Sequence, residues 1–309
     1  MKERVLVIDG GLSNEREISL RSGRAIFNSL KGQGFEALEF DFRGSIEPII
    51  EQFKPDVVFI ALHGIPGEDG TVQGMLEIAN VAYTFSGVLQ SSLCMNKLFT
   101  KLVFRQIGIK TPNFISLRRG DSLTFEKASE ELNSPKVVVK PVDQGSAIGV
   151  GIVDNEAGFN DAIREAFKLS SKIIIEEFIK GTEITVTVIG NYPNIKVLPI
   201  IEIIPTHSFY DFYSKYTPGK STHRIPAKIS AKAYKKAEEF AFSIYKDFEL
   251  RDLARIDMIV DNEDVFVLEV NTIPGFTETS LVPDSARAAG LSFDELTSFI
   301  VGEALSRRK

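Results

Sequence analysis

The sequence predicts an α/β fold that opens with a parallel layer, and three observations carry that expectation. Val5-Leu6-Val7-Ile8 and Val57-Val58-Phe59-Ile60-Ala61-Leu62 are short continuous apolar runs, as expected of strands buried on both faces. Each ends in a glycine-bearing loop, Asp9-Gly10-Gly11 and His63-Gly64-Ile65-Pro66-Gly67, that leads into apolar residues at helical spacing. Much later, residues 255–260 and 265–271 alternate with period two around Asp261-Asn262-Glu263-Asp264, which predicts an antiparallel hairpin.

Composition narrows the function. With 309 residues, 43% of them apolar, the chain can build two or three small domains with their own cores. A net charge of −6 and the absence of a long basic block argue against a nucleic-acid partner. No apolar run has membrane-spanning length, and MKERVLVIDGG enters a strand rather than a signal-peptide pattern, so no membrane association is expected. The single cysteine, Cys94, excludes an internal disulfide, fits a reducing cytoplasm and reads as a small packed residue.

The first strand leads to a helix carrying Leu20, Ile26, Phe27 and Leu30. Ligands of open α/β sheets gather at loops after the carboxyl ends of strands, and residues 10–17 occupy such a loop. His63 follows the second strand, ahead of a helix with Val72, Met75, Leu76 and Ala79 on one face; alone, it reads as a structural histidine or as a catalyst. From Asn96 a helix with Leu98, Phe99, Leu102, Val103 and Gln106 runs to Gly108, and Thr111-Pro112 stops it, which suggests a domain boundary. Val137-Val138-Val139-Lys140-Pro141 is a strand ending in a cation, and the glycine-rich residues 144–151 follow. That loop is either a hairpin turn or a phosphate cradle, and it lacks the Gly-Lys-Ser/Thr ending of a Walker loop.

Phe159, Ala162, Ile163, Ala166 and Phe167 mark one more helix face, and residues 172–179 and 183–188 read as strands. Residues 202–226 are irregular but rich in aromatics, which suggests a lid rather than disorder. A helix over residues 231–248 turns Ala237, Phe240, Ala241, Ile244, Tyr245 and Phe248 to one side, under the hairpin. In the hairpin, Arg255 and Asp257 share a face, as do Glu269 and Asn271. Asp257, Glu269 and Asn271 then form an oxygen set suited to Mg²⁺, unless the hairpin is only a solvated edge.

The run RIDMIV…VLEVNTIPGFTETSLVP resembles the carboxy-terminal signature of the D-alanine–D-alanine ligases, members of the ATP-grasp superfamily, and the resemblance extends over nearly the whole chain. It implies an amino-terminal substrate domain (1–95), an α+β ATP-grasp lid subdomain (96–182) and a catalytic ATP-grasp subdomain (183–309). The implied reaction joins two D-alanines through an acyl phosphate, with ATP and two Mg²⁺ or Mn²⁺ ions on Asp257, Glu269 and Asn271, in a cytoplasmic homodimer.

Residue roles follow from matched motifs. GGxSxERE makes Glu15 the partner of the first ammonium, and HGxxGEDGxxQG sets His63 near the reacting phosphate with Glu68 behind it. Lys97 and Lys140 grip phosphates, and Ser146 bonds to Glu15 and Tyr216. EEFIxGxE gives an adenine slot at Glu176, Phe178 and Ile179 and a ribose acceptor at Glu183. Lys215 reaches the transferred phosphoryl group, Arg255 and the Gly275 N–H stabilise the oxyanion, and Ser280 with Leu281 holds the second carboxylate. Tyr216, where a phenylalanine would favour a hydroxyl such as that of D-lactate, points to an amine nucleophile.

Phe85, Asn96, Gln144 and Ala147 depart from the family pattern, with altered lid behaviour or affinity expected. Rival readings are another ATP-grasp carboxylate–amine ligase, or a nucleotide-binding relic. His207 and His223 show no partner and read as surface residues, and no residue stands out to take the amine's proton.

Overall fold

The computed structural model describes residues 2–205 and 221–307 of the chain. Its first sheet is parallel: β1 (Arg4–Gly10), β2 (Glu36–Phe42), β3 (Val57–Ile60) and β4 (Ala82–Tyr83) lie in the order β2-β1-β3-β4. Parallel neighbours need crossovers, and α1 (Arg16–Gly32), α2 (Glu47–Phe53) and α3 (Thr71–Ile78) supply them. The continuous apolar runs are accounted for: Val5 to Ile8 and Val57 to Ile60 are wholly buried.

Helices α4 (Val88–Met95) and α5 (Lys97–Gln106) lead on to a second, antiparallel sheet. There β5 (Phe114–Arg118), β6 (Val137–Pro141), β7 (Gly151–Val153) and β8 (Lys172–Glu177) take the order β5-β8-β6-β7. Helices α6 (Phe125–Leu132) and α7 (Glu156–Leu169) bury Ala128, Phe159 and Ala166 against Val137, Val139, Ile173 and Ile175. Asn155 caps α7 by accepting the Gly158 N–H at 2.9 Å.

The third sheet is built around β9 (Thr182–Ile189), with β10 (Lys196–Val197), β11 (Ile201–Pro205) and β12 (Ser221–Arg224) on one side. On the other lie β13 (Leu253–Asp261) and β14 (Asp264–Asn271). Between β12 and β13, α8 (Ala231–Asp247) packs Ala237, Ala241, Ile244 and Tyr245 against Val186, Ile256 and Met258. Phe104 of α5 joins this core and stacks on Phe248 at 5.6 Å.

The predicted hairpin exists with a correction to its period. Strict alternation would put Val265 and Val267 on the face of Glu269 and Asn271. The ladder instead pairs Asp257 with Glu269 but Met258 with Val267, leaving Leu268 as a bulge. The bulge reverses the faces, so Val265 and Val267 enter the core while Glu269 and Asn271 stand beside Asp257 and Arg255.

Two carboxy-terminal helices, α9 (Leu281–Ala288) and α10 (Phe293–Ser306), return to the first sheet. Val282, Ala286, Leu296, Ile300, Val301 and Ala304 share one core with β1 and β3, and Ser29 of α1 donates to Asp294 at 2.5 Å. Asp252, just before β13, adds a polar tie: it accepts the Phe85 N–H at 2.7 Å and the Arg307 guanidinium. No helix of the described residues is long and apolar enough to cross a membrane.

Candidate active site

A cleft of about 610 Å³ opens where the three sheets meet. The loop after β1 brings Glu15, the loop after β3 brings His63, and α5 begins with Lys97 at its edge. Arg255, Glu269 and Asn271 come from the bulged hairpin, and Gly275, Ser280 and Leu281 from the segment that follows it.

Ser146 of the glycine-rich loop donates to Glu15 Oε1, linking the second sheet to the first across the cleft. The neighbouring Gly145 is closely approached: a Cβ there would lie 3.0 Å from Glu15 Oε2 and press on the carboxylate. Ser146 and Ala147 both hold positive φ, at 51° and 58°, in the left-handed region that side chains rarely adopt.

His63 is held at both ring nitrogens. Nδ1 lies 3.1 Å from the Ile273 carbonyl, which can only accept, so this nitrogen carries the hydrogen and Nε2 accepts from Ser22 Oγ at 3.2 Å. Burial lowers its pKa and keeps the imidazole neutral. Glu68, expected behind it, instead accepts the Gly64 N–H at 2.8 Å. Burial, and then the charge of Glu15, push Glu68 up to about 8.

In the hairpin, Asp257 receives Arg255 through two bonds, Nε at 2.9 Å and Nη2 at 2.8 Å, and Thr185 Oγ1 of β9 at 2.6 Å. These contacts fix the guanidinium and set Asp257 behind it rather than on the cleft wall. Lys97 reaches Glu269 at 3.2 Å and the Gln144 carbonyl at 2.7 Å, and Asn271 Oδ1 accepts the Ile273 N–H at 3.1 Å. Among the described residues no three His, Cys, Asp or Glu side chains form a group ready to hold a metal.

Lys140 and Glu176 lie outside the cleft wall, 2.6 Å apart. The other Glu176 oxygen meets Lys101 at 2.8 Å, and Lys101 also donates to Thr111 Oγ1 at 2.6 Å. Burial would raise the Glu176 carboxyl, but its two ammonium neighbours outweigh that and lower it. Burial also brings Lys101 down to about 8. Lys101 was not read from the sequence, although it stands one helical turn after Lys97. Phe178 and Ile179 are partly buried after β8, with the Lys136 ammonium 4.8 Å over the Phe178 ring; Glu183 sits on β9 opposite Ile259. These three also lie away from the cleft wall.

Lys215, Tyr216 and His207 lie outside the described residues. His223 is not the surface residue expected: it lines the cleft, and its Nδ1 is 2.7 Å from Asp284 Oδ2. Arg287 binds the other oxygen of Asp284 at 2.8 Å. Burial alone would raise Asp284, but its bonds to His223 and Arg287 hold it below the usual carboxylate range.

The family model described as "D-ala D-ala ligase C-terminus" matches residues 103–302, and "D-ala D-ala ligase N-terminus" matches residues 44–86. A D-alanine–D-alanine ligase of Carboxydothermus hydrogenoformans is 43% identical over 308 residues, covering 98% of each chain. One from Moorella thermoacetica is 44% identical over 308 residues, covering 98% of this chain and 99% of its own. Among solved structures, the Bacillus anthracis D-alanine–D-alanine ligase complexed with ATP superposes with a TM-score of 0.85 at 32% identity, covering 99% of this chain and 98% of its own. The VanG D-Ala:D-Ser ligase of Enterococcus faecalis gives 0.81 at 30% identity, covering 98% and 100%.

Proposed function

The chain belongs to the D-alanine–D-alanine ligase family, and from that premise we propose that it is an ADP-forming ligase joining two D-alanines into the dipeptide used for peptidoglycan and cell-wall synthesis. One observation carries the reading. The Ser146–Glu15 bond closes the glycine-rich loop over a cleft floored by Arg255, Glu269 and Asn271. A phosphate cradle, an ammonium acceptor and a fixed guanidinium thus face one volume.

ATP phosphorylates the first D-alanine's carboxylate, the second amine attacks the acyl phosphate, and phosphate leaves. Such transfer needs charge neutralisation and alignment more than covalent help. Glu15 holds the first ammonium, Lys97 and Lys140 the nucleotide phosphates, Lys215 serves the transferred phosphoryl group, and Tyr216 favours an amine nucleophile. Arg255, locked by Asp257, and the Gly275 N–H meet the oxyanion, a contribution of about 3 kcal/mol for one such donor. His63, neutral and bonded at both nitrogens, orients the segment after β14 beside the phosphates.

The adenine slot is formed by Glu176, Phe178 and Ile179, the ribose acceptor is Glu183, and Ser280 with Leu281 takes the second carboxylate. The donor set suits a hard divalent cation, because Glu269 and Asn271 reach the cleft and Asp257 lies directly across the ladder from Glu269. Mg²⁺ or Mn²⁺ bound by these three supplies neutralising charge to the phosphates. By the same reading the enzyme is a cytoplasmic homodimer.

The test is ATP-dependent phosphate release with D-alanine, L-alanine, and D-alanine plus D-lactate, using Arg255→Ala as control. Release that requires D-alanine, yields the dipeptide and vanishes in the variant is the expected result. ATP binding without turnover on any of these substrates would overturn the reading.

A further inference from the structure

The ligase reading leaves one chemical requirement unassigned. An amino acid enters as its ammonium, which has no lone pair, so a proton must leave before nitrogen can attack. Most titratable groups on the cleft wall are already committed. Both ring nitrogens of His63 are engaged, Glu68 accepts the Gly64 N–H, and Glu15 accepts from Ser146. Burial pushes the Cys94 thiol up, away from thiolate formation.

His223 is differently placed. Its Nδ1 rests on Asp284 at 2.7 Å, Arg287 fixes the same carboxylate from the other side, and Nε2 has no hydrogen-bond partner among the described residues. A carboxylate on Nδ1 fixes the tautomer with the lone pair on Nε2 and stabilises the imidazolium once it forms. The dyad also stands in the correct half of the cleft, since Asp284 belongs to the first turn of α9 and Ser280 and Leu281 open that helix.

We propose that His223, held by Asp284, accepts the proton that the second amino acid's ammonium must lose before attack. This rests on the ligase reading above. One proton passes to Nε2, the freed lone pair forms the C–N bond, and the C–O bond to the phosphoryl group breaks with its electron pair on phosphate. The nitrogen's remaining surplus proton departs with that phosphate.

Hydroxylamine, neutral near pH 7, traps an acyl phosphate without needing a base, so it separates the two half-reactions. The full-length enzyme is assayed with ATP and D-alanine, with and without hydroxylamine, as wild type, His223→Gln and Asp284→Asn. The expected result for His223→Gln is continued hydroxamate formation, dipeptide formation slower by roughly 100-fold or more, and partial rescue by added imidazole. The acid limb of kcat/KM for the second D-alanine disappears in His223→Gln. In Asp284→Asn, which loses the carboxylate that holds Nδ1, dipeptide formation slows while hydroxamate formation continues. The charged groups that can shape this limb are Asp284 on the ring, Arg287 behind it, Glu278 and Arg21 elsewhere on the same cleft wall, and the Glu202–Arg224 pair on the adjoining ladder.

Equal loss of hydroxamate and dipeptide would make His223 structural, and an unchanged dipeptide rate would remove it from the reaction; either overturns the inference. A wild type that forms no D-alanine-dependent hydroxamate would instead overturn the ligase reading, and this inference with it.

Discussion

Replacing Lys101 with methionine strips one of two ammonium groups from a buried carboxylate, and its cost follows from the geometry. The side chains of Lys101 and Glu176 are 0% and 1% exposed at 2.8 Å. Removing one partner of a buried pair costs roughly 3–5 kcal/mol, because the other charge stays behind. Lys140 remains 2.6 Å from the second Glu176 oxygen, and methionine refills the lysine stem, so the low end applies, about 3 kcal/mol. At roughly 2–4 °C per kcal/mol, the melting temperature falls by about 6–12 °C. Glu176 then draws Lys140 more strongly, and the KM for ATP rises about tenfold, equivalent to ~1.4 kcal/mol. Thermal melts and ATP titrations of the variant check both. Adding Glu176→Gln to Lys101→Met recovers at least half of the lost stability, as expected when two residues share one interaction. A Lys101→Met protein that melts with wild type would refute the reasoning, for the pair would then only have offset its own desolvation.

Further outcomes follow from other contacts. The folded state holds Glu68 protonated to about 8 against an ordinary 4.5, so the stability this proton contributes is full below 4.5 and is lost as pH rises through 8. Glu68→Gln removes that loss: melts across pH should show its advantage growing from 4.5 to about 8 and then levelling, and a constant offset would contradict the assignment. Thr185→Val deletes the 2.6 Å hydroxyl bond to Asp257; stability drops by about 1–2 kcal/mol and turnover by roughly tenfold as Arg255 loses its fixed aim, measured by denaturant unfolding and phosphate release. Gly181→Ala sets a Cβ 2.3 Å from the Val260 carbonyl oxygen, where backbone must shift, and about 3 kcal/mol of stability should go; an unperturbed unfolding midpoint would show that the turn before β9 yields freely.

Much of the architecture was legible because it is written in local periods. The continuous runs at residues 5–8 and 57–62 read as strands covered on both faces, and β1 and β3 are buried in that way, with β3 ending at Ile60. The face of Glu269 and Asn271 was inferred correctly for an incomplete reason, because the bulge at Leu268 that turns them away from Val265 and Val267 depends on pairing between strands. His223 looked unpartnered for a similar reason: Asp284 lies 61 positions away, beyond the reach of any local pattern. Lys101 was hidden by its type, since a lysine on a helix suggests solvent, and only the arrival of Glu176 from another sheet makes its burial tolerable. Motif matches located Glu15 and Ser146 and, through the family resemblance, the bond between them, which joins loops 131 residues apart.

The return of α10 to the first sheet sets an order of events during synthesis. Ser29 meets Asp294 across 265 positions, and Leu296, Ile300 and Val301 complete the same core as Val5 and Ile60. β1 and β3 therefore wait, with part of their apolar cover missing, until α10 has been made. A chain stalled after β14 can assemble its second sheet from contiguous sequence, yet its earliest-made layer stays open to water and to chaperones. The shore of the cleft that carries Glu15 and His63 thus rests on a layer part of whose apolar cover comes from residues more than 200 positions later in the chain.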